Sequence, residues 1–302
     1  MYLRSTLRHL ASMATKKKAA TTKSPAKKSP AKKAAAKSKR SDFRHFVCNV
    51  VPSKGTENDW QLADSIAAGS IGAPAALPAS VDMRASWWKI NNQESTGSCV
   101  GWALADGVAR LQMTKATKIT QAQLLSPRYV WMASKETDTI TTRPESFIEG
   151  AGTTLKAAVD VARNYGLALM DELPFHIQTT MFTGKENAFF ASCAQRKISA
   201  YFNLKKNVTS WKTWLASTGP ILAAFNVDSS WDNAAATGGN IDVFHPDTVR
   251  GGHAICIVGY RTDGRFIVRN SWGTTWGVAG FGYLHPDYIA AAFFDESYGV
   301  TL

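Results

Sequence analysis

Several things are scarce in this 302-residue chain, and each scarcity removes a class of protein. No run of about 18 apolar residues occurs, so no segment reads as a membrane span. The opening MYLRSTLRHLAS is basic but holds no apolar stretch of the roughly 7–15 residues that a secretory signal needs. It reads as a short organelle-targeting segment or as sequence upstream of a start at Met13. The cysteines are only Cys48, Cys99, Cys193 and Cys256, too few for a disulfide scaffold in a chain this long, so reduced thiols in a reducing cytosol are expected. His45, His176, His245 and His285 show no metal-ligand spacing, and no metal or cofactor is expected.

Acidic residues are missing altogether from residues 1–41, which carry thirteen of the 35 Lys and Arg and none of the 23 Asp and Glu. The remaining 22 basic and 23 acidic residues nearly balance, so the tail supplies the whole positive excess of the chain. That tail is Lys, Ala, Ser, Thr and Pro, with SPAKK repeated at Ser24 and Ser29. From Thr15 to Ser41 it has no aromatic or branched apolar side chains to bury, and it is expected to be disordered. Its composition resembles linker-histone and bacterial histone-like tails. Such a chain gains nonspecific affinity for DNA or RNA by counterion release; a solvated tether is the plainer use. A cytoplasmic location is expected, with association to the nucleoid where the tail holds nucleic acid.

The rest divides by pattern. Residues 42–76 read as a connector rich in Gly, Ala and Pro, and 77–302 as one folded region. A helix opens at Cys99 with Val100, Ala103, Leu104, Gly107, Val108 and Leu111 forming a buried stripe, and Gly101 and Gly107 imply close packing. SPRYVWMASKE predicts a second helix capped by Ser126, and TTLKAAVDVARNYG a third that stops at Gly166. After about residue 216, GPILAAFNV, HAICIVGY, GRFIVRN and GFGYL read as strands, with RTDGR as a hairpin turn. The two HPD triplets, at His245 and His285, read as turns. The chain is thus α+β, a helical part over about 85–215 and a mostly antiparallel β part over 216–302, with a cleft where they meet.

Chemistry concentrates at four positions. A thiol at a helix N-terminus is favoured as thiolate by the unpaired N–H groups there, so Cys99 is a candidate nucleophile; a core cysteine is the plain alternative. Alternation along the strand puts His253, Ile255 and Ile257 on one face and Ala254, Cys256 and Val258 on the other, leaving Cys256 in the core. His253 lies at the strand's rim, from where a base can reach across a cleft. The hairpin returns Asn270 to the same end, where an amide can fix the imidazole tautomer. Gln93 can join the backbone N–H of Cys99 in holding an oxyanion, or be an ordinary loop glutamine.

LPASVDMR, QESTGSCVGWA, GGHAICIVGY and RNSWGTTWGVAGFGYL together resemble the papain family of cysteine proteases, of a bacterial type, over about Leu77 to Tyr283. The resemblance implies a two-lobed fold with a β-barrel-like second lobe. It implies Cys99 as nucleophile, His253 as acid/base, Asn270 as orienter and Gln93 as oxyanion donor. It also implies Trp272 as a shield over the His–Asn pair, Trp276 as its companion, and Gly150, Gly152 and Gly252 along the substrate cleft. The implied partner is a peptide or protein substrate, cleaved by a monomer without cofactor. Thr96 stands where the family usually has a disulfide cysteine, and Val100 where it has an aromatic. The long helical inhibitory propeptide of secreted members is missing, so residues 42–76 are expected to lie across the cleft if the enzyme is latent. GSCVG also fits a nucleophile elbow, but the preceding NNQESTG is too polar for the buried strand an elbow requires. An inactive papain-like protein bound to nucleic acid is the rival from another class, and the intact quartet argues against it.

Overall fold

The computed structural model describes residues 42–69, 71–72, 76–138, 149–176 and 186–302. The basic tail therefore lies outside the described residues. The elements in order are α1 (Leu62–Ala67), β1 (Val81–Asp82), α2 (Cys99–Gly101), α3 (Arg110–Lys115), α4 (Pro127–Thr137), α5 (Leu155–Asn164) and α6 (Glu186–Ala194). Then come β2 (Ala200–Asn203), α7 (Val208–Ser217), β3 (Ile221–Val227), α8 (Ser229–Asp232), β4 (Asn240–Ile241), β5 (Gly251–Tyr260), β6 (Phe266–Arg269), β7 (Phe281–Leu284), α9 (Pro286–Ala292) and β8 (Phe293–Thr301).

The expected helices form where their caps predict. The Ser126 side chain accepts from the Tyr129 amide with Pro127 in the first turn of α4. Thr154 does the same for Ala157 at the start of α5. Gly166 adopts φ 92°, the left-handed conformation that ends a helix cheaply only at glycine.

The helix that opens at Cys99 differs from its predicted form. Between α2 and α3 the chain winds as a π-helix over Trp102–Ala109, and every residue of it is buried, not one stripe. The helix is surrounded on all sides, and its glycines explain how closely. A Cβ on Gly101 would sit 2.2 Å from the Pro127 carbonyl oxygen, and one on Gly107 would sit 2.8 Å from Cβ of Cys256.

The sheet runs β2-β8-β3-β5-β6-β7-β4, with β1 also on β5. All pairs are antiparallel except β4 with β7. The hairpin at RTDGR closes as expected, with the Arg261 amide donating to the Arg265 carbonyl at 2.8 Å. Three features escape the sequence pattern. β2 precedes residue 216, β8 runs through FFDESYGVT, and the second HPD opens α9, where His285 caps the helix and Pro286 fills its first turn.

The alternation along β5 sorts the core. Ala254, Cys256 and Val258 pack with the Cys99 helix on one face. Ile255 and Ile257 pack on the other with Trp211, Trp214 and Tyr288. An ionic knot ties the helix to the strand leading to Asn270. Asp106 accepts from Arg110 at 2.8 Å and from Arg269 at 2.7 Å, with all three side chains at most 4 % exposed. Trp88 adds a bond to the Asp106 carbonyl at 2.6 Å. Asp106→Ala strands two buried guanidinium groups, and urea unfolding is expected to show a loss of about 3–5 kcal/mol. A loss below about 1 kcal/mol, the range of an exposed pair, would contradict this bracing.

Candidate active site

The loop 91–98 places Gln93 and Cys99 through its own hydrogen bonds. Thr96 Oγ1 donates to the Gln93 carbonyl at 2.6 Å, and the Gly97 amide donates to the Glu149 carbonyl at 2.6 Å. Gly97 packs so closely on Gly150 and Ala151 that a Cβ there would lie 2.7 Å from their backbone atoms. The same loop is pinned to the segment after Asn270. The Gln93 amide donates to the Ser271 carbonyl at 2.8 Å, and Ser271 Oγ donates to Gln93 Oε1 at 2.7 Å. That second bond leaves the Gln93 NH2 group to donate to the Thr96 carbonyl at 3.0 Å and to the Val47 carbonyl at 3.2 Å. Ser271 is a supporting residue that its place in the SWG triplet alone did not disclose.

His253 and Asn270 come together. His253 Nε2 lies 2.8 Å from Asn270 Oδ1, which also accepts from the Ser271 amide at 2.7 Å. An oxygen engaged this way accepts from Nε2–H, so the lone pair of the imidazole is on Nδ1, and Nδ1 is buried without a partner. Trp272 leans over the imidazole with ring centroids 4.8 Å apart. Trp231 meets its edge at 5.7 Å, and Trp276 braces Trp272 at 5.8 Å. Cys99 sits at the first turn of its helix, and the backbone N–H groups of Ala254 (the residue after His253), Val100, Cys99 and Asn49 act on its sulfur. Cys256 is buried on the opposite face of β5. Among the described residues, no three His, Cys, Asp or Glu side chains gather as a metal would require.

The cleft is not open. Cys99 and His253 are both 0 % exposed, because residues 43–53 lie across them as a strap. The Val50 amide donates to the Gly252 carbonyl at 2.9 Å and the Val51 amide to the Thr153 carbonyl at 3.1 Å. Phe46 stacks on Trp272 at 5.1 Å with the planes 6° apart. Gly152 and Gly252 make room for it: a Cβ on Gly152 would come 1.9 Å from the Asn49 oxygen, and one on Gly252 3.2 Å from Cβ of Val50. Gly150 packs on Gly97 instead. The strap continues into an anchor in which the Ser53 amide donates to Glu296, and Asp59 is held by Lys156 and Tyr298. The expected connector is thus an ordered segment over 42–69. Its signal was the apolar series Phe43, Phe46, Val47, Val50 and Val51, overshadowed by the Gly and Pro that follow.

The cover sets the electrostatics. Burial pushes the Cys99 thiol up to about 11, against the pull of the surrounding backbone N–H groups. Burial lowers His253 to about 4, only partly opposed by its bond to Asn270. Both groups are therefore neutral at pH 7. In the full chain, alkylation of Cys99 by iodoacetamide at pH 7 is expected at no more than on the order of one-hundredth of the rate of a free cysteine. A raised thiol pKa makes that rate climb about tenfold per pH unit until the pH nears about 11. A plateau below pH 8, read by peptide mapping, would contradict it.

A sequence profile described as papain family cysteine protease matches residues 77–292. The chain is 28% identical over 219 residues to macrodontain-1 of Ananas macrodontes, spanning 70% of this chain and 91% of that protein. It is 27% identical over 248 residues to cathepsin J of Rattus norvegicus, spanning 75% and 68% respectively. Among solved structures, xylellain, a cysteine protease from Xylella fastidiosa, superposes with a TM-score of 0.69 at 19% identity, covering 85% of this chain and 96% of that one. ProCathepsin B S9 from Trypanosoma congolense gives 0.60 at 16% identity, covering 86% and 87%.

Proposed function

Because this chain belongs to the papain family of cysteine proteases, we propose that it hydrolyses peptide bonds through Cys99, His253, Asn270 and Gln93, and that its strap keeps it latent. The observation that carries the reading is the bond from His253 Nε2 to Asn270 Oδ1, which leaves Nδ1 free to take a proton. Cys99, as thiolate, attacks the substrate carbonyl, and the imidazolium of His253 then protonates the departing amine. Water, activated by the neutral imidazole, releases the acid from the thioester. Gln93 Nε2 and the Cys99 amide hold the oxyanion, each donor contributing on the order of 3 kcal/mol to the barrier. The fixed Ser271–Gln93 bond means that the donor needs no reorganisation when charge develops.

The strap supports latency in two ways. It removes water from the thiol and imidazole, so the ion pair that attacks is not formed. It also runs against the direction of a substrate. The leaving amine must depart on the side of Trp272, since His253 lies beneath that ring, and the acyl half then lies along Gly152 and Thr153. The strap has its N-terminal part, Phe43 and Phe46, by Trp272 and its later part, Val50 and Val51, at the wall. The amide nitrogen that follows the Val47 carbonyl therefore faces away from the side where His253 can protonate it.

The basic residues 1–41 are proposed to add affinity for nucleic acid that weakens steeply with salt. The inactive binding protein is not favoured, since none of the four site residues is replaced.

Removing residues 1–53 is expected to raise hydrolysis of a peptidyl-coumarin substrate by on the order of 100-fold, following the gain in thiolate. Unchanged activity in a folded, trimmed chain would remove the latency claim. Cys99→Ala is expected to abolish both hydrolysis and labelling by a peptidyl electrophile. Gln93→Ala lowers kcat by about 100-fold or more.

A further inference from the structure

We infer that Arg250, which no part of the mechanism above uses, is a substrate-binding residue of the leaving-group side, recognising carboxyl-type oxygens of residues C-terminal to the scissile bond. The inference rests on the peptidase reading of the site. Arg250 directly precedes β5, and its own amide is fixed to the Val227 carbonyl at 2.8 Å. Its guanidinium lies 5.6 Å from the centre of the Trp272 ring, the ring that marks the side on which the amine departs. One terminal nitrogen is held by Asp232 at 3.0 Å. The other donates to two main-chain carbonyls of the strap, Arg44 at 3.1 Å and Phe46 at 3.4 Å.

Those two carbonyls belong to a turn, closed by the Phe46 amide donating to the Phe43 carbonyl at 3.2 Å, which brings both within reach of one nitrogen. When the strap leaves, the Nη1 donors lose both acceptors while Asp232 still holds the rest of the group. Arginine cannot shed its proton, so the loss is made good only by water or by an oxygen of the incoming peptide. Nε is already buried without a partner, so the group has no spare acceptor of its own. The strap thus occupies, with its own carbonyls, a donor beside Trp272 that an oxygen of a substrate's leaving half can take once the strap is gone. A main-chain carbonyl and a terminal carboxylate share this chemistry; the first suits cleavage within a chain, the second removal of residues from a C-terminus.

The test uses the full chain, wild type, Arg250→Gln and Arg250→Lys. Three substrates share one acyl half: a coumarin amide with nothing beyond it, a peptide with two further residues as the free acid, and the same peptide as its amide. The ratio of kcat/KM for each peptide to that for the coumarin substrate does not depend on how much enzyme is uncovered, because both need the uncovered form. Arg250→Gln is expected to lower that ratio tenfold or more, and Arg250→Lys to lower it less. In the same variant, coumarin hydrolysis itself rises, since the strap loses an anchor. Equal loss for acid and amide identifies the main-chain carbonyl, and loss for the acid alone identifies the carboxylate. A ratio unchanged within twofold for both peptides overturns the inference and leaves the peptidase reading standing. In Cys99→Ala, fluorescence anisotropy of the labelled peptide separates the opposite failure. Arg250-dependent binding beside a wild type that hydrolyses nothing keeps the anchor and defeats the peptidase reading.

Discussion

A thiol and an imidazole exchange a proton usefully only where the resulting charges are solvated, and in this protein that solvation is withheld by residues 43–53. Burial moves the two groups in opposite directions, the thiol up and the imidazole down, so the neutral pair is the stable one beneath the strap. The supports of these side chains are fixed beneath it. Asn270 orients His253, Ser271 orients Gln93, and the backbone of Ala254 lies against the Cys99 sulfur.

The rest of the architecture holds these pieces in register. A helix surrounded on every side carries Cys99, and a buried Asp106 fastens it to the strand from which Asn270 emerges. Removing either arginine or the carboxylate from such a knot is costly, because the charges left behind have no water to turn to. The two faces of β5 divide the labour: one packs on the Cys99 helix, and the other stands on a layer of tryptophan and tyrosine. His253 belongs by alternation to the second face and meets Trp231 and Trp272.

Much of this is legible in the sequence. The period-two alternation along HAICIVGY separated His253 from Cys256, and the Asp-Gly hairpin returned Asn270 to the imidazole. Local caps at Ser126 and Thr154, and the stop at Gly166, predicted helices because they depend on neighbours in sequence. What was not legible depends on distant partners. An amphipathic stripe on the Cys99 helix hid the fact that Asp106 and Arg110 are also buried, since their burial requires Arg269 on a strand 163 residues from Asp106. FFDESYGVT carries two acids and a glycine, so its place between β2 and β3 could not be seen in its composition. In sequence the strap reads as a connector because its apolar residues find their partners in Trp272 and Val50's neighbour Gly252, far along the chain.

The claim that burial, helped by the nearby Arg250 charge, holds the site neutral is tested most directly by the ring nitrogens of His253. Nitrogen NMR on the full-length chain, with labelled histidine assigned by a His253→Gln control, reads both protonation and tautomer. A pKa lowered to about 4 makes this ring neutral at pH 7 and keeps it neutral as the pH falls until that value is approached. The predicted spectrum is therefore the Nε2–H tautomer throughout pH 7 to 5, with no titration near the ordinary 6.5. An imidazolium signal at pH 7, or a midpoint between 6 and 7, would show that the ion pair exists beneath the strap and that its burial is not what restrains the enzyme.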